Sequence, residues 1–351
     1  MTVTVNTVPS ISVALCTRNG ASYVREQVES IVHQTLLPRE IVVSDDDSSD
    51  NTVEIVTSVV SDFLRSTPDV HIDVIVLHNI PPLGVTGNFE RAITTTTGAL
   101  IALCDQDDVW HPQRLELAAA RCVAEQDLLL LHGDARLVDG EGFPLGLSLF
   151  QALGVTIRER TEIHGGFGFG ALMRRNLVTG ATTMFRRTLL EAALPFPSQW
   201  VHDEWLGAIA AATGRIDFLE EPLIDYRQHG ANQIGVAKLS FSGKLRKLRE
   251  PRDARNKRLV ENAVILCERL ETVRDDVSPE TISIAEGKRA HEEHRFSLPA
   301  GRFARLAPVL RERRSGGYAH YGRGAADILR DLVQPARERT EPPRERTEPP
   351  R

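Results

Sequence analysis

The chain has 351 residues, 41% hydrophobic and 26% charged, with 42 basic and 48 acidic side chains and a formal net charge of −6. That composition is ordinary for a folded globular protein and gives no electrostatic push towards nucleic acid. No apolar run approaches the roughly 18 residues of a membrane span and no basic-then-apolar leader is read, so neither a spanning nor a secreted protein is expected; Cys16, Cys104, Cys122 and Cys267 read as free thiols of a reducing cytoplasm.

In chain order, residues 11–16 read as a short buried strand, followed by Thr17-Arg18-Asn19-Gly20 and a helical stretch over 22–34. Pro38 breaks that helix. The next strand, 40–44, runs into Asp45-Asp46-Asp47-Ser48-Ser49-Asp50-Asn51-Thr52, and Val53, Val56, Val59, Val60 and Phe63 then recur at helical spacing. Residues 70–78 form a third strand, alternating around His71 and Asp73, and a short helix from Asn88 leads to the apolar run 99–104. Beyond it, 114–126 reads as a helix and 127–132 as another buried strand. The glycine-dense stretch 164–170 is expected to be a mobile or tightly turning loop. Helices are read at 186–193 and 203–213, and a strand at 215–219. Strands alternating with helices imply right-handed βαβ units, a mostly parallel sheet and an α/β fold.

The run 99–104 ends in Asp105-Gln106-Asp107-Asp108-Val109-Trp110. Carboxylates crowded at the tip of a buried strand repel one another, so a cation or a metal-bound phosphate is their natural partner. Asp108 has an alternative role as cap of the following helix, with Pro112 near its first turn, but capping explains one Asp and not three. In an open parallel sheet, ligands bind beyond the carboxyl ends of the strands. The Thr17, Asp45 and Asp105 clusters all fall at such ends and can share one crevice. No Gly-x-Gly-x-x-Gly follows the first strand and no Gly-x-x-x-x-Gly-Lys occurs, which disfavours a dinucleotide or P-loop site.

The segments 13–20, 41–46, Ser49-Asp50-Asn51-Thr52, 104–110, Val178-Thr179-Gly180-Ala181-Thr182, His202-Asp203-Glu204-Trp205-Leu206 and 226–235 occur in the order found in family 2 glycosyltransferases. The chain resembles inverting members of that family, of the GT-A fold, and bacterial rhamnosyltransferase-like enzymes in particular. The resemblance implies a Rossmann-like, mostly parallel central sheet flanked by helices, with a helical C-terminal extension. It implies that Thr17, Arg18, Asp45, Asp46 and Asp105 hold the nucleotide; a carboxylate accepting the ring N–H suits uracil or thymine, hence a UDP- or dTDP-linked donor. Asp105 and Asp107 match the DxD pair, with Asp107 and His229 on Mg²⁺ or Mn²⁺. Asp203 matches the catalytic base, and the start of a helix also suits it as a cap. Gly180, Thr182, Glu204, Trp205 and Arg227 are implied around the donor and acceptor pocket, Trp205 and Trp110 reading from the residues as packing. Asp47 departs from the family's usual glycine, which matters if the position needs positive φ.

Residues 1–236 are read as the glycosyltransferase domain, 237–334 as a basic, mainly helical region, and 335–351 as a disordered Arg/Glu/Pro repeat tail. The expected reaction is transfer of a sugar such as rhamnose to a surface glycan or lipid-linked acceptor. Another donor hexose, nucleotidyl transfer, or a non-catalytic glycan-binding scaffold are the alternatives. Lys244, Arg246, Lys247, Arg249, Arg252, Arg255, Lys257 and Arg258 form a basic segment, interrupted by Glu250 and Asp253. It is either a solvated helix face or a contact with the inner face of a plasma membrane. A cytoplasmic protein with no nucleic-acid partner is expected.

Overall fold

The structure, a computed structural model, describes residues 9–229 and 252–335. Its contacts divide the chain into two compact units, residues 1–238 with 268–283, and residues 239–267 with 284–351.

The first unit opens with β1 (Ile11–Thr17), whose every residue is buried, then α1 (Val24–Val32) and β2 (Glu40–Asp45), again wholly buried. Near-continuous apolar runs of this kind suit strands covered on both faces of a parallel sheet. The helix α2 (Thr52–Ser66) buries Val56, Val59 and Val60 on one face. It is followed by the half-exposed edge strand β3 (Asp73–His78), α3 (Gly84–Thr95) and the buried β4 (Leu100–Cys104). Next come β5 (Val109–Trp110), α4 (Arg114–Ala124), β6 (Leu128–Gly133), β7 (Arg136–Val138) and β8 (Pro144–Ser148). Helices α5 (Leu149–Leu153), α6 (Ile157–His164) and α7 (Gly168–Arg174) precede β9 (Met184–Arg186), α8 (Leu189–Ala193) and α9 (His202–Thr213). The unit's last described strands are β10 (Arg215–Leu219) and β11 (Ile224–Arg227).

The main sheet has the order β10-β6-β9-β4-β1-β2-β3, with β9 antiparallel to β4 and β6 and the other pairings parallel. A second sheet has the order β5-β11-β7-β8. Because β1 pairs with β2 on one side and β4 on the other, the chain reverses its direction of travel across the sheet at β1, which opens a crevice beyond these carboxyl ends.

Three local expectations are corrected. The stretch 164–170 is not one loop, because Gly168 and Gly170 sit inside α7 and only 165–167 forms the turn between helices. The expected helix 186–193 is a strand end followed by the short α8, since Met184–Arg186 finds partners in β4 and β6 that no local periodicity announces. Asp108 does not cap the next helix: its Oδ1 accepts the backbone N–H of Arg227 at 3.0 Å, and Gln113 occupies the N-cap of α4.

In the second unit lie α10 (Arg252–Thr272) up to Cys267, α11 (Pro279–Phe296) from Ile284 onward, α12 (Leu306–Arg314), α13 (Gly317–His320) and α14 (Ala325–Val333). Its apolar cluster is small, with Leu298, Val309 and Tyr318 at the centre. Buried ionic groups do the joining: Arg295 Nε donates to Asp331 Oδ2 at 2.8 Å, the Tyr318 hydroxyl donates to the same oxygen at 2.8 Å, and Arg295 also pairs with Glu292 at 3.1 Å. Breaking such a buried pair from one side leaves an uncompensated charge, which is why these side chains hold the helices in register. The basic segment before Arg252 and the Arg/Glu/Pro tail lie outside the described residues. No helix among the described residues is long and apolar enough to cross a membrane.

Candidate active site

The carboxyl ends of β1 and β2 are level, with Thr17 paired to Asp45, and the Thr17 hydroxyl donates to Asp45 Oδ1 at 2.7 Å. The other Asp45 oxygen accepts the Ser48 backbone N–H at 2.9 Å, which folds the acidic loop back on itself. Asp47, at the bend of that loop, has φ +64°, so the position does require the left-handed region. Asp50 accepts from the Thr52 backbone and hydroxyl, with Asn51 as the N-cap of α2.

Asp46 is buried, and its two oxygens accept the backbone N–H groups of Leu83 at 2.7 Å and Gly84 at 2.9 Å. It therefore anchors the start of α3, where free N–H groups point outward and a carboxylate is favoured. Arg18 is exposed, and its backbone is clamped to the β4 loop by Gln106, which accepts from Arg18 N at 2.8 Å and donates to Arg18 O at 3.0 Å. Gly20 sits where an added Cβ would fall 2.2 Å from Gln106 Oε1, so a side chain there would push aside the amide that clamps the two loops.

Asp105 is partly buried just past the end of β4. Loss of solvent, then the nearby carboxylates of Asp107 and Asp203, push it up to about 7, with the Arg114 guanidinium opposing. Asp108 is buried and raised well above the usual carboxylate range by burial and by Asp107 and Asp105. Arg114 stands behind them, buried, donating to Ala181 O at 2.8 Å and lying 3.5 Å over the Trp110 ring. Its own burial lowers it to about 10. Asp107 Oδ2 is 2.8 Å from His229 Nε2, and the His229 ring stacks on Tyr23 at 4.7 Å between centroids.

Asp203 lies in the first turn of α9, with Val201 as the N-cap, so it is not the cap itself. Its Oδ2 accepts Gly180 N at 2.9 Å and its Oδ1 accepts Glu204 N at 2.6 Å. Each carboxylate oxygen keeps a further lone pair. His202 beside it is buried, stacked on Phe89 at 3.9 Å, and burial lowers its pKa against the pull of Asp203.

The site thus gathers Thr17, Asp45, Asp105, Asp107, Asp203 and His229 from segments far apart in the chain. Three expected pocket residues are placed otherwise. Trp205 is 0% exposed and its indole N–H donates to Ala193 O at 2.7 Å, so it belongs to the core under α9. Thr182 turns its hydroxyl to Thr179 O at 2.9 Å and accepts Gly133 N, lining an internal cavity with Arg114 and His132. Arg227 braces the loops instead of facing the crevice: it donates to Asp107 O at 2.8 Å and Gly140 O at 2.9 Å, and pairs with Glu26 at 2.5 Å. Glu204 is half-buried one residue beyond Asp203. The sequence reading missed Gln106, Arg114, Tyr23 and Glu26 as supports of the site; none forms a motif with its partner.

Residues 12–180 match the family model described as Glycosyl transferase family 2. The chain is 28% identical over 233 residues to an uncharacterized glycosyltransferase of Nostoc sp., covering 63% of this chain and 66% of that protein. It is 25% identical over 247 residues to the dTDP-rhamnosyl transferase RfbG of Shigella flexneri, covering 67% of this chain and 78% of that protein. The chain spans just under two thirds of the Nostoc protein's length, and as little as 13% of other curated relatives. Among solved structures, residues 1–349 of S. aureus TarS in complex with UDP-GlcNAc align with a TM-score of 0.54 at 17% identity, covering 89% of each chain. Residues 12–180 thus carry the glycosyl transferase family 2 domain, and the strand order above together with the TarS alignment shows the GT-A fold.

Proposed function

We propose that this chain is a divalent-metal-dependent, inverting glycosyltransferase that moves a sugar from a nucleoside-diphosphate donor to a hydroxyl of a glycan or lipid-linked acceptor. The observation that carries the reading is the mutual action of Asp105 and Asp107, at the tip of β4, with Asp203, from the first turn of α9 some 96 residues further on. Folding alone gains nothing from bringing like charges together; catalysis of a group transfer to a hydroxyl does.

Asp203 has the place and chemistry of the general base. Its carboxylate is oriented by the Gly180 and Glu204 N–H groups, and it takes the proton from the acceptor hydroxyl as that oxygen attacks the anomeric carbon. Thr17, Arg18, Asp45 and Asp46 line the nucleotide end; the carboxylates of Asp45 and Asp46 also hold the loops that shape it. Among the described residues no three His, Cys, Asp or Glu side chains converge as a complete metal cage. Asp107 with His229, and Asp105 beside them, fit a cation that takes its remaining ligands from diphosphate and water, as Mg²⁺ or Mn²⁺ does. When bound, such a cation neutralises the charge that develops on the departing nucleoside diphosphate.

For the donor we favour a dTDP-linked deoxyhexose such as rhamnose, because RfbG, which matches over 78% of its length, is a dTDP-rhamnosyl transferase. The test is release of nucleoside diphosphate by the full chain from dTDP-rhamnose, UDP-glucose, UDP-N-acetylglucosamine and GDP-mannose, each with Mg²⁺, Mn²⁺ or EDTA. Release is expected to be fastest from dTDP-rhamnose and abolished by EDTA. Release from another donor alone overturns the sugar assignment. No release with any donor or metal, alongside intact glycan binding, replaces the enzyme with a binding scaffold.

A further inference from the structure

We propose that the outward face of α12, with Arg302 and Phe303 just before it, docks on an anionic lipid bilayer. Phe303 is 90% exposed, Leu306 47% and Leu310 45%, three large apolar side chains brought together by one short stretch of chain. At about 100° per residue, Leu306 and Leu310 fall on one side of the helix, and Phe303, in the single turn leading into it, extends the same stripe. Val309, about 80° round the helix from the middle of this stripe, is buried against the unit's small apolar cluster.

Charge decides the occupant. Arg302, Arg311, Arg313 and Arg314 are exposed around the apolar stripe. The remaining arginine, Arg305, is wholly buried and donates to the carbonyls of Pro299, Ala300, Asp331 and Gln334. The sole acid of α12, Glu312, is turned inward to His291 at 2.6 Å. The outer face is therefore apolar and cationic with no acid of its own helix to offset it. A surface of this composition matches the boundary between acyl chains and negative headgroups, where aromatic and leucine side chains insert and arginines stay at headgroup level. Residues 336–351 offer no occupant, since their side chains are Arg, Glu, Thr and Pro apart from one Ala. Residues 238–251 are themselves basic and are repelled by the same charges. This surface is independent of the active-site reading.

The experiment uses the full chain with sucrose-loaded vesicles of neutral phosphatidylcholine, or of phosphatidylcholine with about one third phosphatidylglycerol. Cosedimentation is expected with the anionic vesicles only, weakening as salt rises. Charge reversal of two arginines (R311E with R314E), or F303S with L310S, is expected to lower partitioning at least about tenfold, with unchanged circular dichroism. Phe303→Trp supplies a reading at the site, because Trp110, Trp200 and Trp205 are all buried; its emission is expected to shift to the blue on adding anionic vesicles. Equal binding to neutral vesicles, full binding by both double variants, or no shift at position 303 while the protein sediments would each overturn the proposal. So would retention on single-stranded nucleic acid or self-association through this face in place of vesicle binding.

Discussion

His229 Nε2 and Asp107 Oδ2 stand 2.8 Å apart although the two residues are 122 positions apart in the chain. Tyr23 stacks on the imidazole from a third segment, and Arg227 donates to the Asp107 carbonyl at 2.8 Å. Each member of the pair is thus held by a further residue before any ligand arrives, as an electrostatic site requires.

Asp107→Ala is accordingly expected to lower transfer by on the order of 10²–10³-fold, the scale of losing one preorganised charge-stabilising group. His229→Ala should cost less, about 10–100-fold, as for a partner that orients a ligand. Mn²⁺ titration in the presence of dTDP, followed by electron paramagnetic resonance, checks whether both variants lose cation affinity in that order.

Asp203→Asn removes the proton acceptor while keeping its shape, and its single amide oxygen keeps either the Gly180 or the Glu204 N–H but not both. It should lower kcat by about 10²–10⁴-fold with nucleotide affinity little changed. Gly180→Ala probes the same contact from the other side. Its Cβ would lie 2.8 Å from His202 Nε2 and 3.5 Å from Asp203 Cβ, so the loop must shift. A stability loss of about 1–3 kcal/mol and a fall in kcat that exceeds any change in KM are expected. Denaturant melts and steady-state kinetics on the two variants decide this.

Asp47 is exposed at φ +64°, a conformation that costs a side-chain-bearing residue about 1–2 kcal/mol, somewhat less for Asp. Asp47→Gly should therefore stabilise the first unit by up to about 1 kcal/mol despite the extra freedom of glycine when unfolded. A rise in Tm without loss of nucleotide release is the expected result.

His132 makes the fold pH-sensitive from within. It is buried, packed between Phe150 and Phe218, and both ring nitrogens lack a hydrogen-bond partner among the described residues. Burial lowers its pKa to about 4 from 6.5, so the folded state keeps it neutral while the unfolded chain takes up a proton. Stability from this group is fully present above pH 6.5 and declines as pH falls towards 4. Between pH 7.5 and 5 the loss is about 2 kcal/mol. His132→Leu should flatten that part of the profile, which urea melts at the two pH values will show.

Much of the candidate site was legible in the chain because strand tips are local events. An apolar run followed by Asp105-Gln106-Asp107, or by Asp45-Asp46, marks a buried strand and its polar end without reference to anything distant. Trp205 was placed at the pocket because its neighbours are motif residues. On a helix two positions turn by about 200°, which takes Trp205 from the Asp203 side into the core. The short strands β5, β7, β9 and β11 were not legible at all, since two to four residues carry no periodicity and their pairing partners are remote.

The sequence by itself determined the alternation of strands and helices, the acidic strand ends and the resemblance to family 2, because each is written in local spacing and residue type. Tertiary structure alone decided what those acids do. Asp46 meets the N–H groups at 83 and 84, Asp108 meets the backbone of Arg227, and Asp203 meets Gly180, each across a chain separation that no local pattern encodes. The physical reason is that a carboxylate's role depends on which donors and which other charges surround it, and only the packed sheet brings those together.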